Sequence, residues 1–194
     1  MPQNDEKLIK EILKGNESAM EILVKRHYDL VHSYIYRVTN DYNISYDITQ
    51  DVFIKMMKNI DKYNLENGKF KNWLLKIAVN TTKDYFKSST YKQRVENCDI
   101  ENHQIEDTSN VIDIISKKEE AIKIKESIEN LPNLQREAIL LKYYNDLKIK
   151  EISNITGDNE NTIKSRLFNG IRNLKKLLGG DIFEEESQYT QTKM

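Results

Sequence analysis

The chain has 194 residues, and its 30 lysines and arginines almost balance 31 aspartates and glutamates, for a formal net charge of -1 at pH 7. The chain has one cysteine, two prolines and six glycines, and 31% of its residues are charged and 38% hydrophobic. This composition excludes a disulfide scaffold, a collagen-like fibre and a fully disordered chain. The small number of prolines and glycines favours helix. No apolar run reaches the roughly 18 residues of a membrane span, and the first residues lack the layout of a secretory signal, so a cytoplasmic protein without membrane insertion is expected.

The near-zero net charge hides an uneven distribution along the chain. Residues 1–87 carry a charge of +2 and residues 131–178 carry +4, whereas residues 88–126 and 179–194 carry -3 each. Two basic blocks flank an acidic segment, an arrangement that suits two separate contacts with a polyanion.

Apolar residues recur every three or four positions through the first basic block, and this periodicity predicts three long helices. They cover residues 16–40, 45–60 and 69–87, and turn residues at 64–68 precede the third. Helices of this length form a compact bundle around one core. The predicted core stripe of the third helix is Phe70, Leu74, Ile77, Thr81 and Tyr85.

The helical periodicity fades after residue 88 and returns near Ser116. We therefore predict an all-α protein in which a flexible acidic linker (92–115) joins an N-terminal helical bundle (1–91) to a C-terminal domain (116–178). An acidic tail over residues 179–194 is expected to be disordered.

The C-terminal domain contains the layout of a helix-turn-helix. Leu131 and Pro132 mark a helix start, a short helix covers residues 148–155, and a turn around Gly157 leads into an amphipathic helix from 159 to 178. In this motif the second helix enters the DNA major groove. The alternative from the pattern alone is a helical hairpin with a solvated polar face. The candidate DNA-binding residues are Asn161, Thr162, Lys164, Ser165, Arg166, Asn169 and Arg172.

A cationic stripe follows the third predicted helix at alternating steps of four and three residues. Such a face suits a nucleic-acid backbone, with Tyr85 and Phe86 nearby to stack on exposed bases. The alternative is that the lysines solvate the outer face, and we expect Trp73 to pack inward. The stripe consists of Lys69, Trp73, Lys76, Asn80, Lys83 and Lys87.

Asp47, Gln50 and Asp51 share the polar face of the second predicted helix, which suggests a metal site or a protein contact. No histidine, cysteine or further carboxylate lies at ligand spacing from them, so a protein contact is favoured and neither metal nor cofactor is expected. The chain has three histidines: His27, His32 and, in the linker, His103. His27 and His32 lie in a helix without partners there, and they are expected to be ordinary packed or solvated side chains.

Three stretches, in this order, resemble the bacterial RNA polymerase sigma factors of the extracytoplasmic-function (ECF) group. Residues 45–55 resemble the segment with which these proteins bind the clamp helices of the polymerase β′ subunit. Residues 70–80, continued by 84–87, resemble the helix that faces the melted minus-ten element. Parts of residues 131–167 resemble the helix-turn-helix that reads the minus-thirty-five element.

The resemblance implies a non-enzymatic subunit that gives core RNA polymerase its promoter specificity. Its implied partners are the β′ clamp helices and β flap of polymerase, promoter DNA and an anti-sigma factor. It implies that the loop at 64–68 captures a flipped base. It leaves open which of Arg166 and Lys164 reads a base and which holds a phosphate. The implied polymerase-binding residues are Asp47, Gln50, Asp51 and Ile54, and the implied minus-ten residues are Asn64, Asn67, Lys69, Lys76, Asn80, Lys83 and Lys87.

The chain departs from the family pattern at a few positions. Leu75 and Val79 stand where the family usually has an aromatic and a basic residue. Asn169 and Gly170 replace a common Arg-Ala pair, and a glycine in a helix costs about 1 kcal/mol relative to alanine.

Two alternative functions differ in class from a sigma factor. The first is a stand-alone helix-turn-helix regulator that binds duplex DNA as a dimer, and the second is a carboxylate-metal nuclease built on Asp47 and Asp51. The sequence offers neither a dimerisation seam nor a set of metal ligands, so the sigma factor is the preferred hypothesis.

Overall fold

A computed structural model of the chain describes residues 4–64, 68–88 and 112–178, and all regular structure in these ranges is helical. The all-α prediction is thereby confirmed. The helices are α1 (Asp5–Ile12), α2 (Glu17–Thr39), α3 (Tyr42–Asn59) with a 3-10 turn at Ile60–Lys62, α4 (Phe70–Lys87), α5 (Ile112–Glu129), α6 (Asn133–Ile139) with a π-helical turn at Leu140–Tyr144, α7 (Ile149–Thr156) and α8 (Glu160–Leu177).

Short polar side chains fix where the helices begin. Asn4, Asn16, Asp41 and Asn159 each accept a hydrogen bond from the backbone N–H three residues further on, at the start of α1, α2, α3 and α8. Replacement of such a cap by alanine costs about 1 kcal/mol. These caps set the entry of the bundle helices and of the last helix from local sequence alone.

The sequence pattern does not predict α1, which is eight residues long and buries two side chains, Leu8 and Ile9. Tertiary contacts hold it against α2. The Asp5 carboxylate in its first turn accepts a hydrogen bond from Arg26 Nη1 at 2.7 Å. A helix this short is marginal alone, so packing decides whether it forms.

The two histidines of α2 have polar partners on neighbouring helices, which the sequence pattern does not reveal. His27 Nε2 lies 3.0 Å from the other Asp5 oxygen, and its ring packs edge-on against Phe70 at 5.2 Å between centroids. Burial lowers the pKa of His27, although the Asp5 carboxylate acts in the opposite direction. His32 Nε2 lies 3.3 Å from Ser45 Oγ. His103 lies outside the described residues.

The two halves of the chain share one continuous hydrophobic core. Phe70, Leu74 and Thr81 of the predicted α4 stripe are buried, whereas Ile77 and Tyr85 are half-buried. A second side of α4 is buried as well, through Leu75, Ala78, Val79 and Thr82. Helix α4 contacts α7 as well as α2 and α3, which explains why one apolar stripe is insufficient to describe it.

Polar contacts accompany this docking of the two halves. Lys71 Nζ donates to the backbone oxygen of Asn145 at 2.6 Å, and Asn72 Nδ2 donates to Glu151 Oε1 at 2.7 Å. The guanidinium of Arg37 lies 4.4 Å from the centre of the Tyr144 ring.

Helix α5 begins at Ile112, inside the segment predicted as linker; the rest of that linker and the acidic tail lie outside the described residues.

Gly170 allows α8 to approach α6 closely. A Cβ added at this position would lie 3.1 Å from Cγ1 of the buried Ile139 and 3.5 Å from Cβ of Gln135. The low helix propensity of glycine at position 170 is therefore offset by the close packing of α8 against α6.

Gly170→Val should lower the free energy of unfolding by about 1–3 kcal/mol, because the added methyl groups overpack this contact. The exposed Arg172→Val variant has the same β-branched side chain in the same helix without the clash, and it serves as the control. Denaturant unfolding of both variants checks this; a loss for Gly170→Val no larger than that for Arg172→Val would contradict the close contact.

Candidate nucleic-acid and protein interfaces

The helix-turn-helix is formed by α7 and α8, and hydrogen bonds hold its turn. Gly157 ends α7 in the left-handed region at φ 81°, where a side chain would be strained. Ser153 Oγ donates to the backbone oxygen of Asp158 at 2.6 Å, and Asn159 Oδ1 accepts from the Thr162 N–H at 2.8 Å. The start of α8 is therefore fixed relative to α7.

Most of the predicted DNA-binding residues of α8 face solvent, but one does not. The side chain of Arg166 points toward the turn between α7 and α8, and its Nη1 lies 2.5 Å from Asp158 Oδ2. This side chain is only 16% exposed. The hydrogen bond from Arg166 holds the pKa of Asp158 below its ordinary value. Asn161, Lys164, Ser165 and Arg172 are exposed, and Thr162 and Asn169 are half-buried.

Sequence reasoning missed Phe168, whose side chain is 67% exposed on the outward face of α8. It lies between Ser165 and Arg172 at helical steps of three and four, so it belongs to the predicted DNA-binding stripe. The signal was present in the sequence: Phe168 stands beside Leu167, outside the buried stripe of Ile163, Leu167 and Leu174.

The cationic stripe of α4 is partly exposed and partly used inside the protein. Lys83 Nζ pairs with Glu137 Oε1 of α6 at 3.2 Å. Trp73 is half-buried and packs against Tyr63 and Phe70, both at 5.6 Å between ring centres, as expected. Asn64, Lys69, Lys76, Asn80 and Lys87 are exposed, and Asn67 lies outside the described residues.

The outer face of α3 combines carboxylates with apolar side chains. Asp47, Gln50, Asp51 and Ile54 are exposed, and neither carboxylate forms an ion pair within the described ranges. Tyr46 and Met57 extend the same face and are also exposed, which the sequence reasoning did not include. An exposed face of this composition is typical of a protein interface.

Neither a metal centre nor a membrane span is found in the part of the chain that the structure describes. No three histidine, cysteine, aspartate or glutamate side chains within residues 4–64, 68–88 and 112–178 come together to bind a metal ion. None of the helices in these ranges combines the length and the apolar character needed to cross a bilayer.

Comparison with known proteins identifies the class. The family model of Sigma-70 region 2 matches residues 23–91, and that of Sigma-70, region 4 matches residues 121–174. The ECF RNA polymerase sigma factor SigW of Bacillus subtilis is 31% identical over 179 residues, which cover 89% of this chain and 95% of SigW.

The fold is shared with two solved sigma-factor complexes. RpoE in complex with the anti-sigma factor NepR from Bartonella quintana superimposes with a TM-score of 0.67 at 21% identity, over 83% of this chain and 97% of RpoE. CnrH in complex with the cytosolic domain of CnrY gives a TM-score of 0.67 at 18% identity, over 92% of this chain and 99% of CnrH.

A helical bundle that matches region 2, followed by a helix-turn-helix that matches region 4, defines a sigma factor of the sigma-70 type. The chain belongs to the ECF group of RNA polymerase sigma factors, and it functions in transcription initiation. The preferred hypothesis from the sequence is confirmed, and the stand-alone regulator is not favoured. Sigma factors are generally non-enzymatic.

Proposed function

We propose that this sigma factor binds core RNA polymerase through the exposed face of α3 and recognises promoters through α4 and α8. The observation that carries the proposal is that the four polymerase-binding candidates of α3, and most of the DNA-binding candidates of α4 and α8, are exposed outside a common core. The chain acts in the cytoplasm and leaves RNA synthesis to the polymerase. Its minus-ten surface consists of Asn64, Asn67, Lys69, Lys76, Asn80, Lys83 and Lys87, and its minus-thirty-five surface lies on the polar face of α8.

The near-neutral charge supports a polymerase-bound factor rather than an independent DNA-binding protein. A free binder gains its affinity from many phosphate contacts, whereas a subunit tethered to polymerase uses weak contacts at high effective concentration. Run-off transcription with core polymerase, with and without this chain, tests the proposal. Promoter-specific transcripts are expected only with the chain; tight dimeric binding to a palindromic duplex without polymerase would favour the stand-alone regulator instead.

The docked arrangement has to open for both promoter elements to be contacted at once. The elements lie about 25 base pairs apart, which is about 85 Å along B-form DNA. In the structure, α4 and α7 pack against each other instead. We propose residues 1–91 and 116–178 as units that separate about the linker, and an anti-sigma partner like those bound to RpoE and CnrH that opposes this separation.

Glu137 should make the docked form respond to pH. Burial raises the pKa of its carboxyl group, and Lys83 and Arg166 only partly counteract this. A raised pKa means that the docked form binds a proton more readily than the open chain. The contribution of Glu137 to docking is therefore fully present below its ordinary pKa of 4.5 and is lost as the pH rises through the raised value.

The measurement is the thermal unfolding midpoint against pH for the parent and for Glu137→Gln, which cannot titrate. Other carboxylates, such as Asp158, have a lowered pKa and change stability in the opposite direction, so the difference between the two curves isolates Glu137. As the pH falls from neutral to acidic, the unfolding midpoint of the parent should rise relative to that of Glu137→Gln. Parallel curves would contradict the prediction.

Phe168 should recognise a thymine in the minus-thirty-five element. An exposed phenyl ring in the major groove contacts the thymine C5-methyl group, which none of the other three standard bases carries. Removal of one buried methyl group is worth about 0.8 kcal/mol, or about fourfold in affinity.

Replacement of thymine by deoxyuridine removes that methyl group and leaves base pairing unchanged. Transcription from templates with this replacement at each upstream thymine should fall about fourfold at one position for the parent and remain unchanged for Phe168→Ala. Leu177→Ala, which truncates another exposed side chain of α8, is the control and should behave like the parent. Equal sensitivity in all three proteins would exclude a role for Phe168 in reading the methyl group.

A further inference from the structure

A cavity of about 330 Å³ lies where α2, α4 and α6 meet, at the junction between the two halves of the chain. Its apolar walls are Val38, Val79, Phe86 and Leu134. Leu134 is 51% exposed, so the cavity is open to solvent and has an apolar side chain that the fold leaves uncovered. Its volume is at the lower end of the range of small binding pockets, about 300–1,000 Å³, and it has room for one or two side chains.

Cations outnumber anions at this cavity. Lys83, Lys87 and Arg136 line it, and Glu137 is the acidic residue among them. Lys83 is the ion-pair partner of Glu137, whereas Lys87 forms no ion pair within the described residues. The terminal nitrogens of Arg136 donate to backbone oxygens, but its buried Nε has no hydrogen-bond partner in the described ranges. The cavity therefore offers an ammonium group and one N–H to a carboxylate.

The acidic tail of the chain has a composition that complements this cavity. Ile182 and Phe183 stand together, between Asp181 and three consecutive glutamates at 184–186. So short and acidic a segment cannot build a core of its own, and it becomes ordered only when a partner surface buries its apolar side chains. Disorder is therefore the expectation for the tail only where no such surface is within its reach.

The tail begins close to the cavity, because α8 runs antiparallel to α6. Gly170 packs on Ile139, and three residues later Asn173 Nδ2 donates to Gln135 Oε1 at 2.9 Å. The end of α8 therefore points toward the start of α6, and this first turn of α6 lines the cavity. Residues 179–183 span up to about 17 Å when extended, and a helix with its side chains is about 10–12 Å wide. The segment is long enough to cross the start of α6.

We propose that the C-terminal tail crosses the start of α6 and docks in this cavity, with Ile182 and Phe183 against its apolar walls and the neighbouring carboxylates on Lys87 and Arg136. The contact ties α6 of one half to α4 of the other, so it stabilises the docked form. It also covers Lys87, which belongs to the proposed minus-ten surface. The contact itself is independent of the proposed function, whereas its consequence, that the tail restrains promoter binding, rests on that function.

Carbodiimide cross-linking of the full chain tests where the tail lies, because the reagent joins a carboxylate to an amine that contacts it. Mass spectrometry of the product with the mass of one chain should find Lys87 joined to carboxylates of residues 181–186. Phe183→Ser should weaken the docking about tenfold or more, as expected for the burial of one phenyl ring, and the yield of this product should fall accordingly. Tyr189→Ser removes an aromatic ring from the same tail outside the docking pair, and it should react like the parent.

Four results would overturn the proposal. The first is an equal yield in the parent and in Phe183→Ser, and the second is a Lys87 product found only at the mass of two chains, which would place the tail on a second copy. The third is a tail joined only to lysines outside the cavity. The fourth is carboxylates of the linker on Lys87 in place of those of the tail, which would assign the cavity to the linker.

Leu134→Ser tests the cavity side of the contact. Phe183→Ser and Leu134→Ser should each lower the thermal unfolding midpoint by about 2–4 °C, the shift that a modest loss of stability causes in a chain of this size. The double variant should fall no further than either single variant, because both remove one shared contact. Ile122→Ser, at a side chain of α5 that is 54% exposed, is the control and should add to Phe183→Ser independently. Additive effects of Phe183→Ser and Leu134→Ser would mean that the tail lies elsewhere.

Run-off transcription separates this inference from the proposed function. At limiting core polymerase, Phe183→Ser should raise transcription at least about twofold, because a larger fraction of the chain is open, and Tyr189→Ser should not. If the parent initiates but the cross-link to Lys87 is absent, the docking of the tail is wrong and the sigma function stands. If the cross-link depends on Phe183 as expected but the parent never initiates, the tail contact stands and the proposed promoter function fails.

Discussion

Asp51→Lys should weaken the binding of this chain to core RNA polymerase by about 2 kcal/mol or more, a loss of at least about thirtyfold in affinity, while its fold stays intact. The carboxylate is exposed and forms no ion pair within the described residues, so charge reversal removes no contact found there. In the complex, a lysine would meet the basic residues that we expect on the clamp helices.

The measurement is co-purification with core polymerase, followed by a titration of the complex. Glu126→Lys is the matched control, because it reverses an exposed carboxylate on α5 of the other half of the chain. Both variants should unfold at the parent's temperature. Asp51→Lys that binds core polymerase as tightly as Glu126→Lys would refute the assignment of this face.

The apolar neighbours of Asp51 explain why a few carboxylates suffice at this interface. Tyr46, Ile54 and Met57 are each between 41% and 45% exposed in the free chain. Burial of apolar area supplies most of the affinity of a typical interface, and the charged groups fix orientation and association rate. A face with this mixture is expected to bind one partner in one orientation.

The sequence predicts the long helices well because their periodicity is local information. Helices α2, α3 and α8 each bury a side chain at nearly every turn. Helix α1 is different: it is short, and tertiary contacts hold it, among them those of Asp5 with Arg26 and His27, more than twenty positions away in the sequence. Contacts at such a separation leave no periodic signal.

The docking of the two halves also depends on contacts that are distant in sequence and that periodicity does not predict. Leu75 and Val79 differ from the usual residues of the family, and in the structure both are completely buried. Val79 borders a cavity with Leu134 and Glu137 of α6. These two departures are therefore explained by a second apolar side of α4 that the docked form buries, which composition and spacing do not reveal.

For the candidate sites, too, local properties are predictable from the sequence and tertiary contacts are not. Helical spacing correctly places Asp47, Asp51 and Lys76 on exposed faces, since the face of a helix is a local property. Whether a charged side chain is free or paired depends on tertiary structure. Lys83 pairs with Glu137, and Arg166 is drawn back to Asp158, although the pattern treats both basic residues as free.

Arg166 should act by holding the helix-turn-helix together, and not by reading a base, which is one of the two roles that the resemblance leaves open for it. Its guanidinium is largely buried against Asp158, and the loss of a buried, charge-assisted hydrogen bond costs about 1–3 kcal/mol. Arg166→Ala and Asp158→Ala should each reduce the free energy of unfolding by such an amount. The double variant should lose much less than the sum of the two, because the interaction is shared.

The promoter readout distinguishes this structural role from base recognition. On a panel of templates with single-base changes in the minus-thirty-five element, Arg166→Ala should reduce transcription from all templates by a similar factor, because α8 loses its fixed position relative to α7. Lys164→Ala is the comparison, since Lys164 is exposed, and it should preserve stability. The opposite result for Arg166→Ala, unchanged stability with relaxed preference at one base pair, would mean that the arginine leaves Asp158 on the promoter and reads that base pair directly, in the bidentate manner by which arginine recognises guanine.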